Sequence, residues 1–149
     1  MSKVIAIGND HGGLDYKNAI VKYLEENGYD VINVGTDTNE SCDYPIFGRE
    51  VGRLVSSGEA DFGVVICTTG EGIAIAANKV KGVRCGIAYN PQVAELMRKH
   101  NNANVISFGQ KYMDLDMCLE SLKKFLETPF EGGRHERRVN LISDIEKER

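Results

Sequence analysis

The fold of this chain is decided by the stretch from Asp61 to Lys79, which reads DFGVVICTTGEGIAIAANK. Its first part, residues 62–66, is a short apolar run rich in β-branched side chains, whereas residues 73–77 are apolar and rich in alanine. Runs of these two kinds are typical of a buried strand and of a helix. We therefore predict a strand that passes into a helix through a turn of polar residues and glycine.

That turn has the features of a ligand-binding site. Gly70 and Gly72 permit backbone conformations that other residues avoid and let a ligand approach the backbone closely. The helix that follows points free N–H groups at such a ligand. Cys67 lies at the same place, where a thiol ionises more readily than a free one. The alternative is an ordinary glycine turn after a core strand that contains a buried cysteine, and this stretch alone leaves both open.

The rest of the chain continues the alternation of strand and helix. Five strand patterns occur in order, at residues 4–7, 31–34, 62–66, 83–88 and 104–108. Helical patterns separate most of them and follow the last, which predicts a parallel sheet covered on both faces. We predict an α/β fold, a Rossmann-like three-layer α/β/α sandwich with a five-stranded parallel sheet, in one domain over residues 1–149. Binding sites of such sheets lie at the carboxyl ends of the strands.

The composition argues against several classes of protein. A net charge of −4 is unlike that of a general nucleic-acid binder, whose surface is basic. The four cysteines are far apart and form no Cys-x-x-Cys pair, which argues against a zinc site and fits a reducing compartment. No apolar run approaches the roughly 20 residues that span a bilayer, and the chain opens on a strand pattern without a leader. We expect a cytoplasmic protein that binds neither nucleic acid nor membrane.

Familiar cofactor and phosphate motifs are incomplete in this chain. The glycine turn has Ile75 where a dinucleotide fingerprint needs a third small residue, and no Gly-x-x-x-x-Gly-Lys motif occurs. A cysteine-phosphatase loop would need arginine six positions after Cys67, where Ile73 stands. We therefore expect neither a cofactor nor a metal.

Imidazole and guanidinium groups at predicted element ends are further candidates. His11, His100 and His135 all lie beside polar or glycine-rich sequence, although a structural role is the usual one for a single histidine. Arg134 and Arg138 are four residues apart and so share a helix face, where two guanidinium groups can bind a phosphate. A solvated basic turn is the alternative.

Three more charged residues follow predicted strands, and they have simple explanations as well. Asp10 and Glu71 stand where a helix cap or first-turn acid is common. Lys111, after the fifth strand, would add a third cation to the two arginines.

The last segment, about residues 131–149, changes in composition. Its basic start is followed by aliphatic residues at helical spacing, namely Val139, Leu141, Ile142 and Ile145. An apolar stripe of this kind needs a surface to pack on. We expect this helical tail to pack on a partner subunit.

Five motifs together resemble the type B ribose-5-phosphate isomerases, a group related to galactose-6-phosphate and allose-6-phosphate isomerases. They are GNDHGG at 8–13, DYP at 43–45, CTTGEGI followed by AANK at 67–79, HN at 100–101 and EGGRH at 131–135. Each motif is weak alone, but five in order over essentially the whole chain are highly specific.

The resemblance implies an aldose–ketose isomerase that interconverts ribose 5-phosphate and ribulose 5-phosphate in the pentose phosphate pathway, without cofactor or metal. A proton moves between C1 and C2 through a cis-enediolate, which requires a base, donors for the oxyanion and a group that opens the sugar ring. Family sites lie between two subunits, so a homodimer or homotetramer is implied. The alternatives are an isomerase of a six-carbon sugar phosphate and a phosphosugar-binding regulator without catalysis.

The resemblance also implies roles for individual residues. Cys67 is the base, and His100 assists ring opening with help from Thr69 and Asp10. Some relatives lack the cysteine and use a glutamate at the position of Glu71, so that residue remains a second candidate. The residues expected to bind the sugar phosphate are His11, Tyr44, Gly70, Gly72, Asn101, Lys111, Arg134 and Arg138.

Overall fold

The computed structural model describes residues 2–148 and confirms the predicted alternation of strands and helices. The strands are β1 (Val4–Asn9), β2 (Asp30–Asn33), β3 (Phe62–Cys67), β4 (Cys85–Ile87) and β5 (Val105–Gly109). The helices are α1 (Leu14–Glu26), α2 (Tyr44–Ser56), α3 (Glu71–Asn78), α4 (Pro91–Lys99), α5 (Leu115–Glu127) and α6 (Arg134–Glu146). A short 3-10 turn, His11–Gly13, precedes α1. The predicted elements are all present, with ends that differ by a few residues.

The five strands form one parallel sheet in the order β2-β1-β3-β5-β4. The predicted Rossmann-like α/β sandwich is thereby confirmed. In the register, Asn9 pairs with Ile66 and Cys67 pairs with Gly109, so β1, β3 and β5 end close together. The residues that follow these three strands therefore meet at one edge of the sheet.

Side chains of the central strand alternate between two hydrophobic clusters, one on each face of the sheet. Val64 and Ile66 belong to the larger cluster, which also contains Phe108 and Phe125. Val65 and Cys67 point to the opposite face, into the smaller cluster beneath α2 and α3. Burial on both faces explains why β3 appears in the sequence as a continuous apolar run.

Helix α6 lies against the rest of its own chain at both ends. His135 and Val139 are buried, and the Glu146 carboxylate accepts the N–H of Gly82 at 2.9 Å. In contrast, the aliphatic side chains Leu141, Ile142 and Ile145 are 54%, 43% and 57% exposed. Packing of this tail on a partner subunit stays a prediction.

A buried lysine fixes the loop between β2 and α2. Lys17 is 1% exposed, and its Nζ lies 2.5 Å from Asp37 Oδ1 and 2.8 Å from the carbonyl oxygen of Thr36. The Asn9 amide also donates to Thr36 O, at 3.1 Å. The hydrogen bond from Lys17 holds the pKa of Asp37 below its ordinary value, with Asn33 contributing. This loop leads into Tyr44, so the contacts fix one wall of the sheet edge described above.

Within residues 2–148, the structure contains no helix that is both long enough and apolar enough to cross a membrane.

The substitution Asp37→Asn tests the contact between Lys17 and the loop. It removes the counter-charge of a buried ammonium group, so we expect the free energy of unfolding to fall by about 1–2 kcal/mol, between the values for exposed and buried pairs. Urea denaturation at pH 7 measures the change.

Asp30→Asn serves as the matched control, because Asp30 is an exposed aspartate at the start of β2. Since the folded protein holds the pKa of Asp37 down, its contribution is present above the ordinary value of 3.8 and disappears as the pH falls below it. Equal stability of Asp37→Asn and wild type at pH 7 would show that the contact does not stabilise the loop.

Candidate active site

Nine of the predicted site residues lie at the carboxyl edge of the sheet, and we call them the carboxyl-edge group. The group consists of Asp10, His11, Tyr44, Cys67, Thr69, Gly70, Glu71, Gly72 and Lys111. Each lies at or just after the end of β1, β3 or β5, or among the first residues of α2 or α3, whose N-termini lie at this edge. The sheet topology thus collects residues that are up to about a hundred positions apart in the chain, as expected for a parallel sheet.

The turn from β3 to α3 is held in an unusual backbone conformation. Gly70 has φ of +80°, and a Cβ at this position would lie 2.9 Å from the carbonyl carbon of Phe108. The buried hydroxyl of Ser107 donates to the Gly70 carbonyl oxygen at 2.6 Å. A glycine is required here both by the left-handed conformation and by the close approach of β5.

Cys67 is 5% exposed, and its sulfur faces the turn. Its Sγ accepts the N–H of Gly70 at 3.2 Å, although the residue also belongs to the smaller hydrophobic cluster. Two other cysteines lie in different surroundings, since burial raises the pKa of Cys85 and of Cys118 to about 12. Those two thiols are therefore unsuited to proton transfer near neutral pH.

The first turn of α3 adds further donors beside the thiol. The N–H of Glu71, the first residue of the helix, donates to Thr69 Oγ1 at 3.1 Å, which fixes the Thr69 hydroxyl at the start of α3. A Cβ at Gly72 would lie 2.6 Å from ring carbons of Tyr44, which shows how closely this ring covers the turn. The backbone N–H groups of the first helical turn point toward the same space. An anionic oxygen bound there would meet amide donors within reach of the Cys67 sulfur.

The 3-10 turn after β1 places an acid and an imidazole at this edge. Asp10 is buried and accepts the N–H of Gly12 at 2.9 Å, so the capping role expected of an acid at this position is present. His11 Nδ1 accepts the N–H of Cys42 at 3.2 Å. In a neutral His11 ring this contact assigns the proton to Nε2, which makes Nε2 a donor.

A main-chain hydrogen bond fixes Lys111 at the same edge. Its N–H donates to the carbonyl oxygen of Thr68 at 3.1 Å, and its side chain is exposed. Gly12, the residue after His11, also packs closely against Thr68, because a Cβ there would overlap the Thr68 hydroxyl. The segments that carry His11 and Lys111 thus both contact Thr68, and Lys111 brings a positive charge to this part of the edge.

The other four predicted site residues, His100, Asn101, Arg134 and Arg138, lie at the opposite edge and are called the amino-edge group. Helix α4 starts at the carboxyl edge after β4 and runs back along the sheet, so His100 at its end lies at the amino edge. Strands β3 and β5 pair over five residues, so the two edges of the sheet are about 13 Å apart along these strands. A single chain therefore does not bring the Cys67 thiol together with His100 or with the two arginines.

His135, a candidate in the sequence to which no role was assigned, also lies at the amino edge. Its ring stacks on that of His100, with centroids 4.2 Å apart and an angle of 15° between the planes. Burial lowers the pKa of His135, and the neighbouring His100 and Arg134 lower it further. The signal in the sequence was its position inside the EGGRH motif, between the two arginines expected to bind phosphate.

Among residues 2–148, no group of three or more histidine, cysteine, aspartate or glutamate side chains is arranged to hold a metal ion.

The carboxyl edge defines a class of site in which a thiol, amide donors and cations meet at the end of a parallel sheet, suited to a small anionic substrate. The chain matches the model of the Ribose/Galactose Isomerase family over residues 5–142. This protein therefore belongs to that family.

Full-length relatives agree with the family assignment. Ribose-5-phosphate isomerase B of Escherichia coli is 43% identical over 147 residues, which are 99% of this chain and 99% of that protein. The structure of Clostridium thermocellum ribose-5-phosphate isomerase B is 48% identical, with a TM-score of 0.96 over 97% of this chain and 98% of the other. The Mycoplasma genitalium ribose-5-phosphate isomerase B, solved with bound ribulose-5-phosphate, is 37% identical, with a TM-score of 0.95 over 100% and 99%.

The substitution Gly109→Ala tests how tightly the turn is pressed onto β5. A Cβ at this position would overlap backbone atoms of Thr69, which cannot move aside as the end of a flexible side chain can. We expect the free energy of unfolding to fall by about 3 kcal/mol, the upper range for overpacking. Urea denaturation gives the value.

Gly86→Ala on β4 is the control, because a Cβ there meets mainly the flexible end of Met97 at 3.0 Å. The proposed packing is wrong if both variants lose the same small amount of stability.

Proposed function

We propose that this protein catalyses the reversible isomerisation of D-ribose 5-phosphate and D-ribulose 5-phosphate. The observation that carries the proposal is the Cys67 sulfur beside an amide-lined glycine turn, on a fold matched over its full length by an isomerase solved with ribulose-5-phosphate. The remaining features of the carboxyl edge agree with an open-chain sugar phosphate as substrate.

Proton transfer by Cys67 accounts for the chemistry. The thiolate removes the proton from C2 of the open-chain aldose, the C2–H electron pair forms the C1=C2 bond, and O1 becomes an oxyanion. The Gly72 N–H in the first turn of α3 stabilises this enediolate, while the Gly70 N–H stays on the Cys67 sulfur. The O2 proton passes to O1, a carbonyl forms at C2, and the C1=C2 electron pair takes the proton back from the thiol at C1. No redox step occurs, and the thiolate is regenerated.

Cations and an imidazole donor, distributed over both edges, provide binding for the phosphate. His11 presents Nε2–H and Lys111 presents an ammonium group at the carboxyl edge. Arg134 and Arg138 are exposed and lie on one face of α6, where their guanidinium groups can bind a phosphate by two parallel hydrogen bonds each. Lys111 lacks that planar geometry and acts as a point charge.

A second copy of the chain completes the site in this proposal. The amino-edge group is about a strand length away from Cys67 within one chain, so His100 and the arginines must come from another subunit. A twofold axis that brings the amino edge of one subunit to the carboxyl edge of the other forms two equivalent sites. A homodimer or a tetramer of such dimers would also cover the exposed Leu141, Ile142 and Ile145.

The pentose phosphate pathway and a cytoplasmic location belong to the same proposal. The substrate pair is that of the pathway, and the four cysteines are free, which suits a reducing compartment.

Solvent-proton exchange at C2 of ribose 5-phosphate, followed by NMR in deuterated water, tests the function directly. Exchange and net conversion are expected, and a protein that binds the sugar phosphate without either is not an isomerase. Parallel assays with allose 6-phosphate distinguish the five-carbon from the six-carbon substrate.

Two single variants decide which group is the base. We expect Cys67→Ala to lower kcat on ribose 5-phosphate by about a hundredfold or more, the usual contribution of a positioned base. Glu71→Gln, at an exposed position in the first turn of α3, is expected to retain most of the turnover. Steady-state assays at saturating substrate provide both values.

The reverse pattern would transfer the role of base to Glu71. If the Cys67→Ala variant retained near-normal turnover, the assignment of the thiol would be wrong even if the protein is an isomerase.

Subunit complementation tests whether the site is shared. A mixed dimer of one Cys67→Ala chain and one His100→Asn chain contains one doubly altered site and one intact site, so we expect about half of the wild-type activity. The mixed dimer is obtained by co-expression with two different affinity tags.

A mixed dimer of Cys67→Ala and Asp10→Asn chains is the matched control. Both changes lie in the carboxyl-edge group, so each of its two sites is altered and no activity returns. Failure of the first pair to recover activity, with both parents dimeric, would mean that one chain supplies the whole site.

A further inference from the structure

The stacked histidine pair at the amino edge contains a feature that the proposed reaction does not explain. His135 is nine-tenths buried, yet its Nε2 has no hydrogen-bond partner among residues 2–148. The Oε1 atom of Glu131 lies 4.0 Å from this Nε2, and the Glu131 side chain is largely exposed. A buried polar atom without a partner is costly, so the position of this ring calls for an explanation.

The backbone before α6 directs His135 onto His100. Gly132 and Gly133 have φ of +71° and +56°, conformations that favour glycine, and no atom lies within 4 Å of a Cβ at either position. The N–H of Glu131 donates to the carbonyl oxygen of Lys99 at 3.1 Å, which ties this turn to the end of α4. The glycines of the EGGRH motif are therefore needed for the path of the chain and not for close packing.

The contact between the two rings restrains His100. The main-chain N–H of His100 is fixed by the carbonyl oxygen of Leu96 at 2.8 Å, but its side chain is only half-buried. The flat face of His135, 4.2 Å away and nearly parallel, limits rotation of the imidazole about its side-chain bonds. Burial lowers the pKa of His135, which favours the uncharged form of the stacked ring.

We propose that His135 is a positioning residue, whose stacked ring holds the His100 imidazole in the orientation needed to open the sugar ring. This inference rests on the proposed function and on the role in ring opening that the family resemblance implies for His100. His135 itself needs no contact with the substrate. The orientation of His100 depends on the flat ring of His135 and not on its nitrogen atoms.

The two directions of the reaction separate this role from general damage to the enzyme. Ribose 5-phosphate is mostly cyclic and must be opened, whereas ribulose 5-phosphate is open-chain because its O5 carries the phosphate. Exchange of the C1 proton of ribulose 5-phosphate with deuterated solvent requires the base and the oxyanion donors but no ring opening. A misplaced His100 therefore slows net conversion of ribose 5-phosphate and leaves this exchange intact.

The experiment compares ring-deleting and ring-retaining variants. We expect His135→Ala and His135→Asn to lower kcat/KM for ribose 5-phosphate by about tenfold or more, as for a small misplacement of a reacting group. In both, C1 proton exchange of ribulose 5-phosphate stays near the wild-type rate. His135→Phe retains a flat ring and restores most of the net conversion. Arg137→Ala, an exposed neighbour on α6, is the control and has no effect on either readout.

A second readout does not depend on activity. In NMR spectra the ring protons of His100 carry a ring-current shift from the stacked neighbour, which is retained in His135→Phe and lost in His135→Ala and His135→Asn. Circular dichroism shows whether each variant is folded. Two ring-deleting variants are used so that the test does not depend on the folding of one of them.

Three results would overturn the inference: wild-type conversion by the ring-deleting variants, an equal fall of conversion and exchange, or a His135→Phe variant as impaired as His135→Ala. The last would mean that a nitrogen atom of His135 acts directly. Failure of the proposed function is distinguishable, since the wild-type protein would then show neither conversion nor exchange. Failure of the role of His100 alone is distinguishable too, since His100→Asn would then convert ribose 5-phosphate normally.

Discussion

The close contact between the glycine turn and the end of β5 is the constraint on which the site depends. Ser107 donates to the carbonyl oxygen of Gly70, and Gly109 leaves room for the backbone of Thr69. With Gly70 held in the left-handed conformation, its N–H reaches the Cys67 sulfur and α3 begins one residue later. The hydroxyl, the turn and the thiol thus form one unit, and a change in the spacing of β3 and β5 would displace all three.

The supports of the site extend well beyond the residues expected to touch substrate. Lys17 and Asn9 hold the loop around Thr36, and that loop continues to Cys42, whose N–H fixes Nδ1 of His11. The buried ammonium group of Lys17 therefore contributes to the orientation of a candidate phosphate ligand. Such supporting contacts are common around positioned groups, because a side chain alone seldom fixes its own geometry.

The sequence was sufficient to predict the fold class and the carboxyl-edge group. The apolar run of β3 and the alternation of strands with helices indicate a parallel sheet, and the ends of its strands then identify Asp10 and Cys67 as candidates. The sequence did not predict the strand order, in which β5 lies between β3 and β4, because neighbouring strands of such sheets have similar apolar patterns. It also did not predict the stack of His135 on His100, which depends on the positive φ of two glycines and on the direction of the chain after α5.

The distribution of cationic groups over two edges has a physical consequence for the proposed assembly. Lys111 lies at one edge with the imidazole donor of His11, and the two arginines lie at the other. In the proposed dimer a phosphate dianion bound between the subunits interacts with both sets, and a ligand that binds the assembled form better than the separate chains stabilises it by mass action. Substrate binding and subunit association are then thermodynamically linked, and because linkage is reciprocal, the contacts that hold the dimer together also contribute to the affinity for the sugar phosphate.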